Sequence, residues 1–284
     1  MTVQTLTDTA SRAIDALRLY RFLTIDQMVK LDVATRRKSI NETLLDLLRR
    51  KHPAVARVDH GVLPGVGRLP ALYYLTPDGA ELLAASQGID IASIATPKGV
   101  VSIRHDLLHR IHCVDCEIAA RQWAESNGQR VSYASHYFNF TGSNRGGTKG
   151  KRKPVARIEL ADRPAIIPDL VMKLEDAEGI ERLLLFEMFN QHRTKRMTEK
   201  IAEYRYAIGE DAISKAFAYE AAPRVIVIFE DEKALHYSQK SLANNAEFGA
   251  DFFPFFFFST LDRIRADFLN GWEKISDTRR HSLF

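Results

Sequence analysis

The chain has 284 residues, 45% of them hydrophobic and 27% charged, with a net charge of +4. That length suits two domains of ordinary size, and the composition excludes general disorder, a collagen-like fibre and a coiled-coil rod. No apolar run approaches the roughly 18 residues of a membrane span, and the first residues lack the basic start and apolar stretch of a secretory signal, so a cytoplasmic protein without membrane contact is the expectation.

Residues 8–23 place Ala10, Ile14, Leu17 and Phe22 at helical spacing. Thr24 with Gln27 three residues later is a capping-box pattern that opens a second helix. In residues 35–51 Ile40, Leu44, Leu47 and Leu48 form one apolar stripe, and Arg36, Arg37 and Lys38 head that third helix. Two alternating runs joined by a Gly/Pro-rich loop predict a hairpin, and Pro77 opens a closing helix. Three helices, a hairpin and a fourth helix are the ground plan of a winged helix-turn-helix over residues 1–88. In such domains the head of the third helix faces the major groove, where Arg reads guanine and Asn reads adenine. Arg36, Arg37, Lys38, Ser39 and Asn41 are therefore the expected contacts to double-stranded DNA, with Arg57 and Arg68 of the hairpin on the backbone. A solvated basic first turn is the plainer alternative.

Residues 89–102 read as a linker and 103–284 as a second, mixed-sheet α/β domain. It begins with a long helix over 104–128, on which Leu107, Leu108, Ile111, Val114, Ile118 and Trp123 form the expected buried face. His105, His109, His112, Cys113 and Cys116 share that helix, but without a second cluster at ligand spacing they read as half-exposed histidines and packed thiols. A strand over 133–140 leads to residues 143–157, which carry six Lys/Arg and no acid. Lys149, Lys151, Arg152 and Lys153 of this flexible loop are expected phosphate contacts. Strands over 165–175 and 182–190, a helix over 195–209, a strand over 223–231, a helix over 232–245, a strand over 254–260 and a terminal helix over 262–275 complete the chain. Phe252 to Phe258 belong to a buried strand or, in the alternative, to a face that joins two copies in a homodimer.

The chemical signal lies in the adjacent strands IIPDLVMKL and LLLFEMFN, which bring Asp169 and Glu187 together. Two such acids can hold a divalent cation through oxygen and place a water for phosphodiester attack. This pattern resembles the PD-(D/E)XK nuclease fold, also called restriction-endonuclease-like, and Pro168-Asp169 matches its first half. In the second half Phe189 stands where that fold has a lysine, and Lys200 on the next helix is the candidate substitute, with Gln191 and His192 in reach. The resemblance thus implies Asp169, Glu187 and Lys200 as catalytic residues and Asp169 and Glu187 as Mg²⁺ ligands if the site is active. The plainer alternative makes Asp169 a cap and Glu187 one half of a surface ion pair.

Arg104-His105-Asp106-Leu107, Pro168-Asp169, Phe186-Glu187 and Lys200 with Tyr204 occur in series after the winged helix. That series resembles the replication-relaxation family over about Leu17 to Ile228. The family's strand reads Leu-Glu-x-Asp, and this chain has Phe189 in place of the second acid. The resemblance implies a plasmid or mobile-element DNA-binding accessory of relaxation, replication or conjugative transfer, without catalysis of its own, that works beside a relaxase or other transfer proteins. A metal-dependent nickase and a dimeric transcriptional regulator are the alternatives.

Overall fold

Thr7 accepts the amide of Ala10 and starts α1 (Asp8–Tyr20), which buries Ala10, Ala13, Ile14, Leu17 and Tyr20 along one stripe. Arg21, at φ +65°, ends it, so the buried Phe22 lies just past the helix. The Thr24–Gln27 capping box is present at the head of α2 (Ile25–Lys30). Two orphan amides are thereby satisfied reciprocally. In α3 (Arg37–Arg49) the buried stripe is Ile40, Leu44 and Leu47. This computed structural model describes residues 6–63, 65, 67–97, 106–141, 153–189, 194–245 and 248–284.

The chain then turns back on itself. β1 (Val55–Val58) pairs antiparallel with β4 (Leu72–Leu75), and β2 (Val62–Leu63) pairs with β3 (Gly67–Arg68) towards the tip. α4 (Pro77–Gln87) follows, capped by Thr76 at one end and by left-handed Gly88 at the other. Its Gly79 packs so tightly on the hairpin's root that an added Cβ would lie 1.9 Å from the carbonyl oxygen of Ala54. Only glycine fits there.

The chain divides into two compact units, Met1–Val114 and Asp115–Phe284, with the boundary inside α5 (Leu107–Ser126). In the second unit β5 (Arg130–His136) is followed by the short pair β6 (Phe140–Thr141) and β7 (Lys153–Pro154), then by β8 (Leu170–Glu175) and β9 (Glu181–Phe189). α6 (Thr194–Gly209) and α7 (Ala212–Phe217) lead to β10 (Arg224–Phe229), and α8 (Glu232–Ala243) leads to β11 (Phe256–Thr260). After α9 (Leu261–Ala266), β12 (Trp272–Lys274) and β13 (Asp277–His281) end the chain. Seven of these strands form one mixed sheet in the order β13-β12-β11-β10-β9-β8-β5. β10 runs parallel to both β9 and β11, and the outer pairings are antiparallel.

The central strands are near-continuous apolar runs because both of their faces are covered. One face carries Val171, Leu183, Leu185, Val225, Val227, Phe256 and Phe258 into a core with Met197, Ile201, Tyr204 and Leu235. At about 25 cal/mol per Å² of apolar surface buried, this packing is the main source of the unit's stability.

Four expectations change. The terminal helix stops at Ala266, where the Asp267 carboxylate accepts the amides of Leu269 and Asn270, and a hairpin carrying the buried Trp272 follows. Turn bonds of this kind compete with helix, so periodicity carried the helix too far. The strand over 133–140 lies at Arg130–His136 and ends where Asn139 donates back to the His136 carbonyl. Phe252, Phe253 and Phe255 form a tight 3₁₀ turn, and only Phe256 to Phe258 are strand. Trp123 is half-buried, unlike Leu107, Val114 and Ile118.

Candidate functional site

Asp169 extends the β8–β9 ladder one residue past Leu170. Its amide donates to the Phe186 carbonyl at 3.0 Å and its carbonyl accepts from Tyr137 at 3.0 Å. Its Oδ2 takes the Met188 amide at 2.8 Å. The register pairs Leu170 with Phe186, so the next position brings Asp169 opposite Glu187. The carboxylate thus bonds the partner strand and not a loop.

Glu187 is no surface partner. Its side chain is 3% exposed, and Oε1 accepts the Tyr204 hydroxyl at 2.5 Å and lies 3.4 Å from Lys200 Nζ. Lys200 and Tyr204 are four residues apart on α6, so the helix turns both toward one carboxyl. Lys200, 26% exposed, also donates to the Ile167 carbonyl at 2.9 Å, which ties α6 to the loop before Asp169.

Burial pushes the Glu187 carboxyl up to about 8; the Asp169 charge adds to this and Lys200 opposes it. Burial alone would lower the Lys200 ammonium, but Glu187 and Asp169 outweigh it and hold it up. Burial and the Glu187 charge drive the Tyr204 hydroxyl well above its ordinary value. Burial thus favours the protonated form of Glu187 near neutral pH, while the acids beside Lys200 favour its charged form. A hard divalent ion wants ionised oxygen ligands. Here Glu187 Oε1 is engaged by Tyr204 and Lys200, and Asp169 Oδ2 is engaged by the Met188 amide. These contacts engage one oxygen of each carboxyl and suit the lysine.

In the first unit, Arg36 is the N-cap residue of α3 and makes no side-chain cap bond. Arg36, Arg37 and Lys38 are exposed, and Ser39 and Asn41 are half-buried. Arg37 is paired with Asp26, each 61% exposed, and Lys38 lies 3.8 Å from Glu42. Arg57 pairs with Asp59 at 2.5 Å and its guanidinium lies 5.9 Å from the Tyr73 ring centre, whereas Arg68 is exposed at the tip of the hairpin. Of the basic loop, Lys153 is exposed in β7 and Arg157 is paired with Glu159 at 2.6 Å. Lys149, Lys151, Arg152, Arg104, His105, Gln191 and His192 lie outside the described residues.

Sequence reasoning passed over two further groups. Glu117, buried on α5, is 2.7 Å from His136 Nε2 and 2.7 Å from Arg121. The Arg121 contact is legible at four-residue spacing; the His136 contact needs the fold. The other is Tyr204, whose four-residue spacing from Lys200 foretells a shared face. Cys113 and Cys116 are buried, and burial pushes the Cys116 thiol up, as packed thiols would have it.

The model of a protein family described as replication-relaxation matches residues 14–218. No curated protein and no solved structure matches. Among the described residues, no helix is long and apolar enough to cross a membrane.

Proposed function

Given that this chain belongs to the replication-relaxation family, which suggests a role in plasmid or mobile-element replication or relaxation, we propose that it binds double-stranded DNA as a non-catalytic accessory. The first unit acts as a winged helix, with Arg36, Arg37, Lys38 and Asn41 in the major groove and Arg57 and Arg68 on the backbone. The second unit keeps a restriction-endonuclease-like order, helix, three antiparallel strands, helix and parallel strand, without the chemistry.

The observation that carries this reading is the head of α3, where three consecutive exposed cations stand at a helix start. Cations there oppose the helix dipole by a few tenths of a kcal/mol, a penalty that an anion removes. The Arg37–Asp26 pair is exposed and worth under about 1 kcal/mol, so phosphate can displace the acid. In the second unit Glu187 is buried and held by Tyr204 and Lys200, which supports structure over hydrolysis.

The convergence of Asp169, Glu187 and Lys200 favours a nickase as the second reading. Supercoiled plasmid incubated with the protein in Mg²⁺, Mn²⁺ or EDTA separates the two. Expected is salt-sensitive binding without nicking, weakened roughly tenfold by Arg36→Ala together with Arg37→Ala. Metal-dependent nicking that Asp169→Ala and Glu187→Ala abolish would overturn the accessory reading.

A further inference from the structure

We infer that the second unit carries a DNA phosphate contact of its own, built from Arg163 stacked on Tyr206 and Arg205 beside Tyr206 and Phe252; this rests on the DNA-binding reading above. The Arg163 guanidinium carbon lies 3.5 Å from the centre of the Tyr206 ring. That of Arg205 lies 5.3 Å from the same centre and 5.5 Å from the centre of Phe252. Arg163 sits in an exposed stretch, and Arg205, Tyr206 and Phe252 are half-buried at its side.

A guanidinium lying on a ring spends its face on the aromatic surface and leaves its in-plane N–H donors to other partners. Neither arginine has an ion pair or hydrogen bond to a carboxylate among the described residues, although Asp162 and Glu203 are close in sequence. Two cations around one ring repel each other, and an anion with several oxygens relieves that repulsion. A phosphodiester does so with two acceptors in the geometry a guanidinium fork matches. The rings fix the forks in place, and the Lys200–Ile167 hydrogen bond ties the helix of Arg205 to the loop of Arg163. The contact is pre-organised, so little order must be gained when DNA arrives.

The test is binding of the full chain to a mixed-sequence duplex over a series of salt concentrations. Arg163→Gln and Arg205→Gln are each expected to weaken binding several-fold on any sequence. Each should also make the slope of log K against log salt shallower by about 1. Arg163→Lys should restore the slope and only part of the affinity, because a lysine has charge but no stacked fork. If both Gln variants keep the parent's affinity and slope while Arg36→Ala weakens binding, this inference falls and the helix-head reading stands. If the parent chain binds no duplex, both fall. Should the Gln variants fail to fold, phenylglyoxal modification of the parent chain decides. Duplex that shields Arg163 and Arg205 from the reagent supports the contact, and duplex that leaves both reactive overturns it.

Discussion

The head of α3 and the cluster around Glu187 use the same kinds of residue, acids and cations within a few ångströms, to opposite ends. Arg37 and Asp26 sit in water, each more than half exposed, so solvent answers most of each charge and either partner can be exchanged for another. Lys200, Glu187 and Tyr204 sit at a sheet–helix junction where water is largely absent, so each group depends on the others. Breaking such a buried set leaves a charge or dipole with nothing to answer it. The difference teaches that burial, more than residue type, separates a pair whose members can be exchanged from a joint whose members cannot.

The sharpest way to break this comparison is Glu187→Ala. It should destabilise the second unit by about 1–3 kcal/mol, since Lys200 and Tyr204 lose their shared acceptor. Denaturant unfolding measures this, and a change below about 1 kcal/mol would show that water already reaches the cluster.

A pH series sharpens the same point. The Glu187 carboxyl is held near 8 in the fold against an ordinary 4.5, so between these values the folded state keeps a proton that the unfolded state releases. This contribution is full below about 4.5 and is lost as pH rises to about 8, a decline of a few kcal/mol at ~1.4 kcal/mol per unit. Glu187→Gln should flatten the slope of stability against pH over that interval, and an unchanged slope would place the effect elsewhere. The smallest effect belongs to the first unit. Arg37→Ala should change stability by less than about 1 kcal/mol while it lowers affinity for DNA.

Much of this was legible in the chain itself. The Thr24–Gln27 box, the Ile40-Leu44-Leu47 stripe and the run RVIVIF carry local rules that the fold obeys. Asp169 and Glu187 could be brought together from strand adjacency alone, and Lys200 was named with them. What could not be read was burial. Nothing in LLLFEMF says that its acid points inward, because both faces of a covered strand look alike in sequence. Nor could Glu117 be joined to His136, since that contact depends on how α5 lies on β5. The end of the chain failed for a local reason: Asp267, Asn270 and Gly271 form a turn that a helical period conceals.

One contact in the first unit bears on how such sequences can vary. At residue 79 the backbone of α4 fills the space that any side chain would need, against a carbonyl that cannot yield without moving the hairpin. Insertions at the hairpin's tip leave this crossing untouched, whereas a single methyl at its root would pry helix from hairpin. Position 79 is thus a one-letter anchor that holds the start of the helix to the root of the hairpin.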